Sequence, residues 1–265
     1  MAESIKRVST GIATLDSLLR GGFLPARSYL VTGDAGTGKT TTCMQFLKSG
    51  LEQGEKAVYV TVDERPAEIL QAAESLGWDL QQYVQAKSFA ILDASAYFSG
   101  RAGTAGDKGV DLQKIVSDLA AYAKKLEAAR LVIDPVTPLI LSADSLARVQ
   151  EHARLLIHLL QTNLTTTNLL TSHLPPQANY NLTNGIEEFI AAGVLILKVT
   201  QDNNRPVRTL SVKKMRGTPI EPNEYPFIIV KDHGIVIVGS DKKPIPVTVE
   251  EPGFQGLEFF QLPKE

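Results

Sequence analysis

The stretch that most constrains the fold is Gly33-Asp-Ala-Gly-Thr-Gly-Lys-Thr40. It matches the phosphate-loop pattern, in which two glycines five positions apart are followed by Lys and a hydroxyl residue. An apolar, β-branched segment at residues 28–32 precedes it, and residues 40–49 have the pattern of a helix. Strand, loop and helix therefore occur in the order that a phosphate-binding loop requires.

The residue types of this loop predict ATP binding. Glycines at 33, 36 and 38 let the backbone adopt positive φ angles and turn its N–H groups towards an anion, at a helix N-terminus that favours negative charge. Lys39 is predicted to reach the β and γ phosphates, and the Thr40 hydroxyl to ligate Mg²⁺. A glycine-rich turn that only caps a helix is the alternative. The predicted nucleotide-binding residues are Gly33, Asp34, Ala35, Gly36, Thr37, Gly38, Lys39, Thr40 and Thr41.

Two neighbouring carboxylates follow a second apolar segment at residues 57–62. In an open parallel sheet, ligands bind beyond the carboxyl ends of the strands, so Asp63 and Glu64 can face the γ-phosphate and position an attacking water. The same spacing fits capping of a helix that begins at Pro66, because Pro and acidic residues are common at helix starts. The spacing alone does not decide between catalysis and capping.

A third carboxylate ends the apolar segment Arg130-Leu-Val-Ile-Asp134. Phosphate-loop ATPases use such a residue for Mg²⁺, although many buried strands end in Asp. Its pairing with the phosphate loop predicts that Asp134 orients the Mg²⁺ water shell, so the predicted metal site is Thr40 and Asp134. The four histidines and the single cysteine, Cys43, lack the spacing of a zinc site.

Alternating strand and helix patterns predict an α/β fold with a mainly parallel sheet. Segments 194–200 and 209–214 are predicted to form two antiparallel strands that extend it. At 265 residues and 43% hydrophobic, the chain can bury one large core. We therefore predict one domain over residues 1–240 and a tail over 241–265, where Pro and Gly are frequent, with a mobile Gly-rich loop at 99–110.

Charge and hydropathy limit the partners. A net charge of −2 and a pI near 6.1 give no overall basic surface, so tight nonspecific nucleic-acid binding is not predicted. No apolar run approaches the roughly 18 residues of a membrane span, and the N-terminus lacks a signal-peptide pattern. These features predict a cytoplasmic protein with no membrane partner.

Several motifs spread along the chain carry a family resemblance. They are Ser9-Thr-Gly-Ile-x-x-Leu-Asp16, residues 33–40, Asp63-Glu64, Val132-Ile-Asp134, and Lys213-Lys-Met-Arg-Gly-Thr218 followed by Glu224-Tyr-Pro-Phe227. Together they resemble the KaiC-like ATPases of the RecA superfamily, over roughly residues 6–238. The last two motifs distinguish KaiC-like proteins from general recombinases.

The resemblance implies a RecA-like phosphate-loop core that assembles into a ring, usually of six, with ATP held between subunits. Asp63 and Glu64 match the paired catalytic carboxylates of that family, and Glu64 is the expected general base. Asp63 departs from the more usual Glu. Lys214 and Arg216 match residues that reach into the ATP of the neighbouring subunit, whereas solvated charges on a hairpin are the alternative.

The expected function is Mg²⁺-dependent hydrolysis of ATP to ADP at the subunit interfaces of a homohexamer, which acts as a nucleotide-driven switch on an unidentified protein partner. The chain carries one ATPase module, whereas the clock protein KaiC carries two, so the resemblance implies no clock role.

Two alternative functions remain. The first is a recombinase-like protein that binds single-stranded DNA through loops at 100–109 and 174–184, where Arg101, Lys108 and Tyr180 are few contacts for such a ligand. The second is an autokinase that phosphorylates Thr183, Ser142 or Ser145. Only Thr183 offers a hydroxyl in the stretch that aligns loosely with the autophosphorylated hydroxyl pair of KaiC.

Overall fold

The central feature of the fold is a mixed sheet with helices on both faces. A computed structural model describes residues 6–97, 111–140, 146–173, 191–202 and 205–239, and within those ranges the sheet has nine strands. The strands are β1 (Ser28–Gly33), β2 (Lys56–Thr61), β3 (Phe89–Asp93), β4 (Ala128–Asp134), β5 (Thr167–His173), β6 (Gly193–Asp202), β7 (Arg205–Met215), β8 (Glu224–Val230) and β9 (Gly234–Ile237).

The first described helix precedes β1, and the others lie between strands along the chain. They are α1 (Ala13–Leu18), α2 (Lys39–Leu51), α3 (Pro66–Ser75), α4 (Gln81–Gln85), α5 (Leu112–Leu126), α6 (Thr137–Ile140) and α7 (Leu146–Asn163), with a 3₁₀ turn at Ser95–Tyr97. In this part of the chain, no helix is both long and apolar enough to cross a membrane.

The strand order is β3-β2-β4-β5-β1-β6-β7-β8-β9. The first six strands in this order are parallel, and β7, β8 and β9 extend the sheet with antiparallel pairs. This confirms the predicted α/β fold with a mainly parallel sheet and antiparallel C-terminal strands. Because parallel strands share one carboxyl edge, the chain segments that follow β1, β2 and β4 meet there.

Both faces of the central parallel strand β1 are buried. Every residue of β1 is buried, as parallel sheets covered on two sides require. Tyr29 and Val31 pack into the apolar cluster that includes α1, α2 and α3, whereas Leu30 packs into the cluster that includes α5 and α7. The alternation follows from the two-residue period of a strand.

The N-terminal segment is held to the core by a buried carboxylate. Asp16 accepts hydrogen bonds from Ser9 Oγ at 2.6 Å, from Thr10 N at 2.7 Å and from Thr10 Oγ1 at 2.6 Å. Burial raises the pKa of Asp16, and these donors oppose that shift. The Ser9 to Asp16 motif thus closes a local turn that places α1 against the core.

A buried arginine joins this segment to the sheet. The Arg130 side chain is 1% exposed, and its Nε lies 2.5 Å from Glu55 Oε2. Its Nη1 donates to Ser9 O at 2.8 Å and to Phe46 O at 2.6 Å. The guanidinium therefore supplies hydrogen bonds to main-chain oxygens of two other segments.

Several predicted features lie outside the described residues. They are the loop at 99–110, the tail at 241–265, the two proposed DNA-binding loops, and the proposed phosphorylation residues Ser142, Ser145 and Thr183. The division of the chain near residue 240 therefore stays a prediction.

Candidate nucleotide site

A cleft of about 350 Å³ opens at the carboxyl edge of the sheet. It brings together the phosphate loop, the segment after β2 and the end of β4. Its lining residues are Ala35, Gly36, Gly38, Lys39, Thr40, Thr41, Thr61, Asp63, Glu64, Ile69, Asp134, Pro135 and Ile229. Most of the residues that the sequence assigned to ATP and Mg²⁺ thus share one cavity.

The loop glycines have two different roles. Gly36 and Gly38 adopt φ angles of +75° and +106°, as predicted. The prediction of positive φ was wrong for Gly33, which ends β1 in register with Leu197 and is not among the positive-φ glycines. A Cβ atom there would lie 2.3 Å from Leu197 O and 2.8 Å from Thr37 Oγ1, so Gly33 is required by close packing.

Three of the predicted loop residues lie behind or beside the cleft wall. Gly33, Asp34 and Thr37 are not among its lining residues. Thr37 is fully buried, and its hydroxyl donates to Asp34 O at 2.8 Å, which closes the loop turn. We therefore assign Thr37 to the shape of the loop.

The Lys39 side chain is held inside the phosphate loop. Its Nζ donates to Gly33 O and to Asp34 O, each at 2.8 Å, and the residue is 7% exposed. Burial lowers the pKa of Lys39, while the negative charges of Asp134 and Asp34 oppose that shift. Among the described residues that line the cleft, Lys39 is the one cation.

Asp134 is the centre of a hydroxyl cluster. Its Oδ2 accepts hydrogen bonds from Thr40 Oγ1 at 2.9 Å and from Tyr59 Oη at 2.5 Å, and its Oδ1 accepts one from Thr171 Oγ1. A hydroxyl that donates its single hydrogen keeps its lone pairs, so Thr40 can contact Asp134 and a cation together.

The oxygen donors at this point fit Mg²⁺. That ion uses one or two protein oxygens and completes its shell with water and substrate phosphates. Thr40 can supply one such oxygen and Asp134 can hold a water of the shell, and no group of three or more His, Cys, Asp or Glu residues in the described part of the chain could form a protein cage for a metal. The donor set therefore suits an ion that arrives with a nucleotide.

Glu64 lies at the rim of the cleft on a fixed backbone turn. Thr61 Oγ1 donates to Glu64 O at 2.7 Å and accepts from Glu64 N at 3.2 Å. Burial raises the pKa of Glu64, and the negative charges of Asp134, Glu68 and Asp63 raise it further. A carboxylate with a raised pKa is better suited to accept a proton than an ordinary surface glutamate.

The first turn of α3 is capped by another side chain. Glu68 Oε2 accepts a hydrogen bond from Arg65 N at 2.8 Å, and Pro66 begins the helix. Asp63 and Glu64 instead line the cleft. The capping alternative for these two carboxylates is therefore disfavoured.

Lys214 and Arg216 lie at the opposite edge of the sheet. Lys214 pairs with Val194, and Arg216 N donates to Ala192 O at 2.7 Å, next to the start of β6. The phosphate loop begins beside Leu197 of β6. At about 3.3 Å per residue, the distance along the strand from Ala192 to Leu197 is roughly 17 Å. The structure does not bring Lys214 or Arg216 to the cleft of their own chain.

Sequence reasoning missed several residues around the cleft. Tyr59 and Thr171 contact Asp134, Ile229 lies 3.3 Å from a Cβ position at Gly38, and Arg208 Nε donates to Gly36 O at 3.4 Å. Hydroxyl residues near the carboxyl ends of buried strands were a usable signal for Thr171. The other three depend on strand register, which no local pattern gives.

Comparison with known proteins decides the family. The family model described as "ATPase: KaiC" matches residues 8–242. The chain belongs to the KaiC ATPase family. The solved structure of a KaiC-like protein from Pyrococcus horikoshii shares this fold with a TM-score of 0.74 and 32% identity, covering 89% of this chain and 100% of that one.

Two relatives differ in how much of their length is matched. The circadian clock oscillator protein KaiC of Synechococcus elongatus is 37% identical over 239 residues, which are 89% of this chain and 44% of that protein. The UPF0273 protein of Methanopyrus kandleri is 32% identical over 259 residues, 94% of this chain and 97% of that protein. This KaiC-family chain thus spans less than half the length of the clock proteins that it matches.

Proposed function

We propose that this protein binds ATP with Mg²⁺ in the cleft and hydrolyses it to ADP. The observation that carries the proposal is the 2.9 Å contact between Thr40 and Asp134, in the same cavity as Lys39 and Glu64. A hydroxyl and a carboxylate for Mg²⁺, a lysine for phosphate and a second carboxylate for water are the parts that phosphoryl transfer to water requires.

Each part has a separate task. The loop N–H groups and Lys39 bind the phosphates, and Thr40 with Asp134 would hold Mg²⁺, which when bound withdraws charge from the phosphate oxygens. Glu64, at the rim, orients the attacking water and accepts its proton. Asp63 adds negative charge next to Glu64, which favours the proton on Glu64 once it has transferred.

We assign Lys214 and Arg216 to the ATP of the neighbouring subunit. Charge that spreads over the γ-phosphate in the transition state needs cations, and Lys39 is the one that lines the described cleft. Arg208 contacts the main chain of the loop instead. Two cations at the opposite sheet edge suit a head-to-tail interface, and such interfaces close into rings, here expected to be hexameric.

Subunit mixing tests this arrangement. Arg216→Ala and Glu64→Gln chains are each expected to bind ATP and to hydrolyse it poorly. In randomly mixed rings, about one interface in four pairs an intact Glu64 with an intact Arg216 of the next subunit, so roughly a quarter of wild-type turnover is expected to return.

A second mixture is the matched control. Glu64 and Lys39 line the same cleft of one subunit. A mixture of Glu64→Gln chains with Lys39→Ala chains therefore contains no subunit with both residues intact, and no recovery is expected. If the first mixture stays as inactive as its parents while subunit exchange is confirmed, Arg216 does not act between subunits. Equal recovery in both mixtures would also refute the assignment.

The proposed biological role is a nucleotide-driven switch that acts on a protein partner. If ATP lies at the interface, its γ-phosphate contacts both subunits, so subunits should associate more strongly with ATP than with ADP. Ring mass measured with ATP, with ADP and without nucleotide tests this role. An unchanged mass in all three conditions would contradict it.

A further inference from the structure

We propose that Tyr59 is a positioning residue for the Mg²⁺ site, and that its phenol hydroxyl sets how Asp134 meets the ion. The inference rests on the proposed function, because it concerns Mg²⁺ in the same cleft. It adds a residue that neither the sequence motifs nor the family resemblance pointed to, since Tyr59 lies within an apolar strand pattern.

Strand register brings the phenol to Asp134. Tyr59 lies opposite Val132 in the β2–β4 pair, and Asp134 follows two residues later on the same face of β4. The tyrosine is 0% exposed, and its Oη donates to Asp134 Oδ2 at 2.5 Å. A phenol carries its hydrogen at neutral pH, so Tyr59 Oη is a donor to this carboxylate.

Counting lone pairs shows what this donor does. A carboxylate offers about four acceptor positions on its two oxygens. Tyr59 and Thr40 occupy Oδ2, and Thr171 occupies one position of Oδ1. Roughly one position, on Oδ1, is left for a water of the Mg²⁺ shell. Without the phenol, Oδ2 regains an acceptor position, so a water of the shell can bind either oxygen and the single Oδ1 contact is no longer enforced.

The chain offers a matched control in Tyr29. Tyr29 is also 0% exposed, and it lies on β1 of the same sheet. Its hydroxyl donates to Leu24 O at 3.0 Å and accepts from Leu24 N at 2.8 Å, away from Asp134. Tyr59→Phe and Tyr29→Phe each remove one buried phenol hydroxyl, but only the first alters the contacts of Asp134.

The readout is nucleotide binding, which does not depend on hydrolysis. A fluorescent ATP analogue is titrated in EDTA and in saturating Mg²⁺. The Kd in EDTA divided by the Kd in Mg²⁺ measures how much the ion strengthens binding. Loss of a residue that orients a metal ligand typically weakens metal affinity by 10- to 100-fold, so Tyr59→Phe is expected to reduce the ratio by about tenfold. The Kd in EDTA is expected to stay within about twofold, and Tyr29→Phe to match the wild type in both.

The outcomes separate this inference from the proposed function. If the wild type binds the ATP analogue equally well with and without Mg²⁺, both the proposed function and the role of Tyr59 are refuted. A wild type that responds to Mg²⁺, with equal ratios for Tyr59→Phe and Tyr29→Phe, overturns the role of Tyr59 alone. If Tyr59→Phe does not fold, a chain with 3-fluorotyrosine at position 59 supplies the second test, because it keeps the ring and alters the donor strength. A ratio within measurement error of the wild type in that chain would then refute the inference.

Discussion

Replacing Lys39 by Ala is expected to weaken ATP binding while the fold persists. Its ammonium group is the one cation among the described lining residues, and two main-chain oxygens hold it at 2.8 Å. A hydrogen bond to a charged group contributes about 1.5–3 kcal/mol, and contacts to both the β and γ phosphates would add. The wild type first gives up its bonds to the loop, so we expect a net loss of about 2–4 kcal/mol, or roughly 30- to 900-fold in Kd.

Lys48 is a matched control on the same helix. It lies on α2, pairs with Glu52 at 2.5 Å, and its side chain is 25% exposed. Because exposed pairs of this spacing contribute about 0.3–0.5 kcal/mol, Lys48→Ala is expected to leave ATP affinity unchanged. Calorimetric titration with Mg²⁺-ATP measures both Kd values, and thermal melts report the fold. ATP binding by Lys39→Ala within about twofold of wild type would refute the phosphate-loop assignment.

Three other properties can be measured on the same chain. Glu64→Gln should bind ATP and hydrolyse it at least about 100-fold more slowly in single-turnover assays, whereas the reverse ranking with Asp63→Asn would move the base role to Asp63. Burial, then the charge of Asp134, raises the pKa of Glu64, so turnover should begin to fall at a pH above the ordinary glutamate pKa of about 4.3. Turnover that stays constant down to about pH 4.3 would contradict the assignment. Arg130→Ala should reduce the free energy of unfolding by about 3–5 kcal/mol, because Glu55 loses its ion-pair partner and Ser9 O and Phe46 O lose their donor. The melting temperature should then fall by roughly 6–20 °C, and a fall of less than about 2 °C would show that the buried guanidinium is not needed.

The carboxyl edge of the sheet was predictable because its residues follow strands directly. A strand, a glycine loop and a helix give the position of Lys39, and apolar segments that end in Asp134 or run into Asp63 and Glu64 point to the same edge. The physical reason is local, since each signal lies within about ten residues of the strand that carries it. In a parallel sheet the strands share one carboxyl edge, so these residues lie close together there.

The contacts that refine the site were not predictable in this way. Tyr59 meets Asp134 because β2 and β4 pair in one register, and that register is set across 75 residues of chain. The role of Gly33 depends on Leu197 O, which comes from β6. No pattern predicted β8, where Pro226 cannot donate to a strand ladder. The first two failures have the same origin, a partner that is distant in sequence, whereas β8 was missed because of a local proline.

The position of the cations is the strongest structural reason to connect hydrolysis with assembly. Lys39 lies at the carboxyl edge of the sheet, and Arg216 lies beside Ala192 at the other edge. Ten paired positions hold β6 to β7, so no local movement of one chain can carry Arg216 the roughly 17 Å to its own loop. One chain has the groups that we assign to ATP binding, and in our proposal a second copy supplies Lys214 and Arg216. We therefore expect a single chain to bind ATP, and only the assembled ring to hydrolyse it at an appreciable rate.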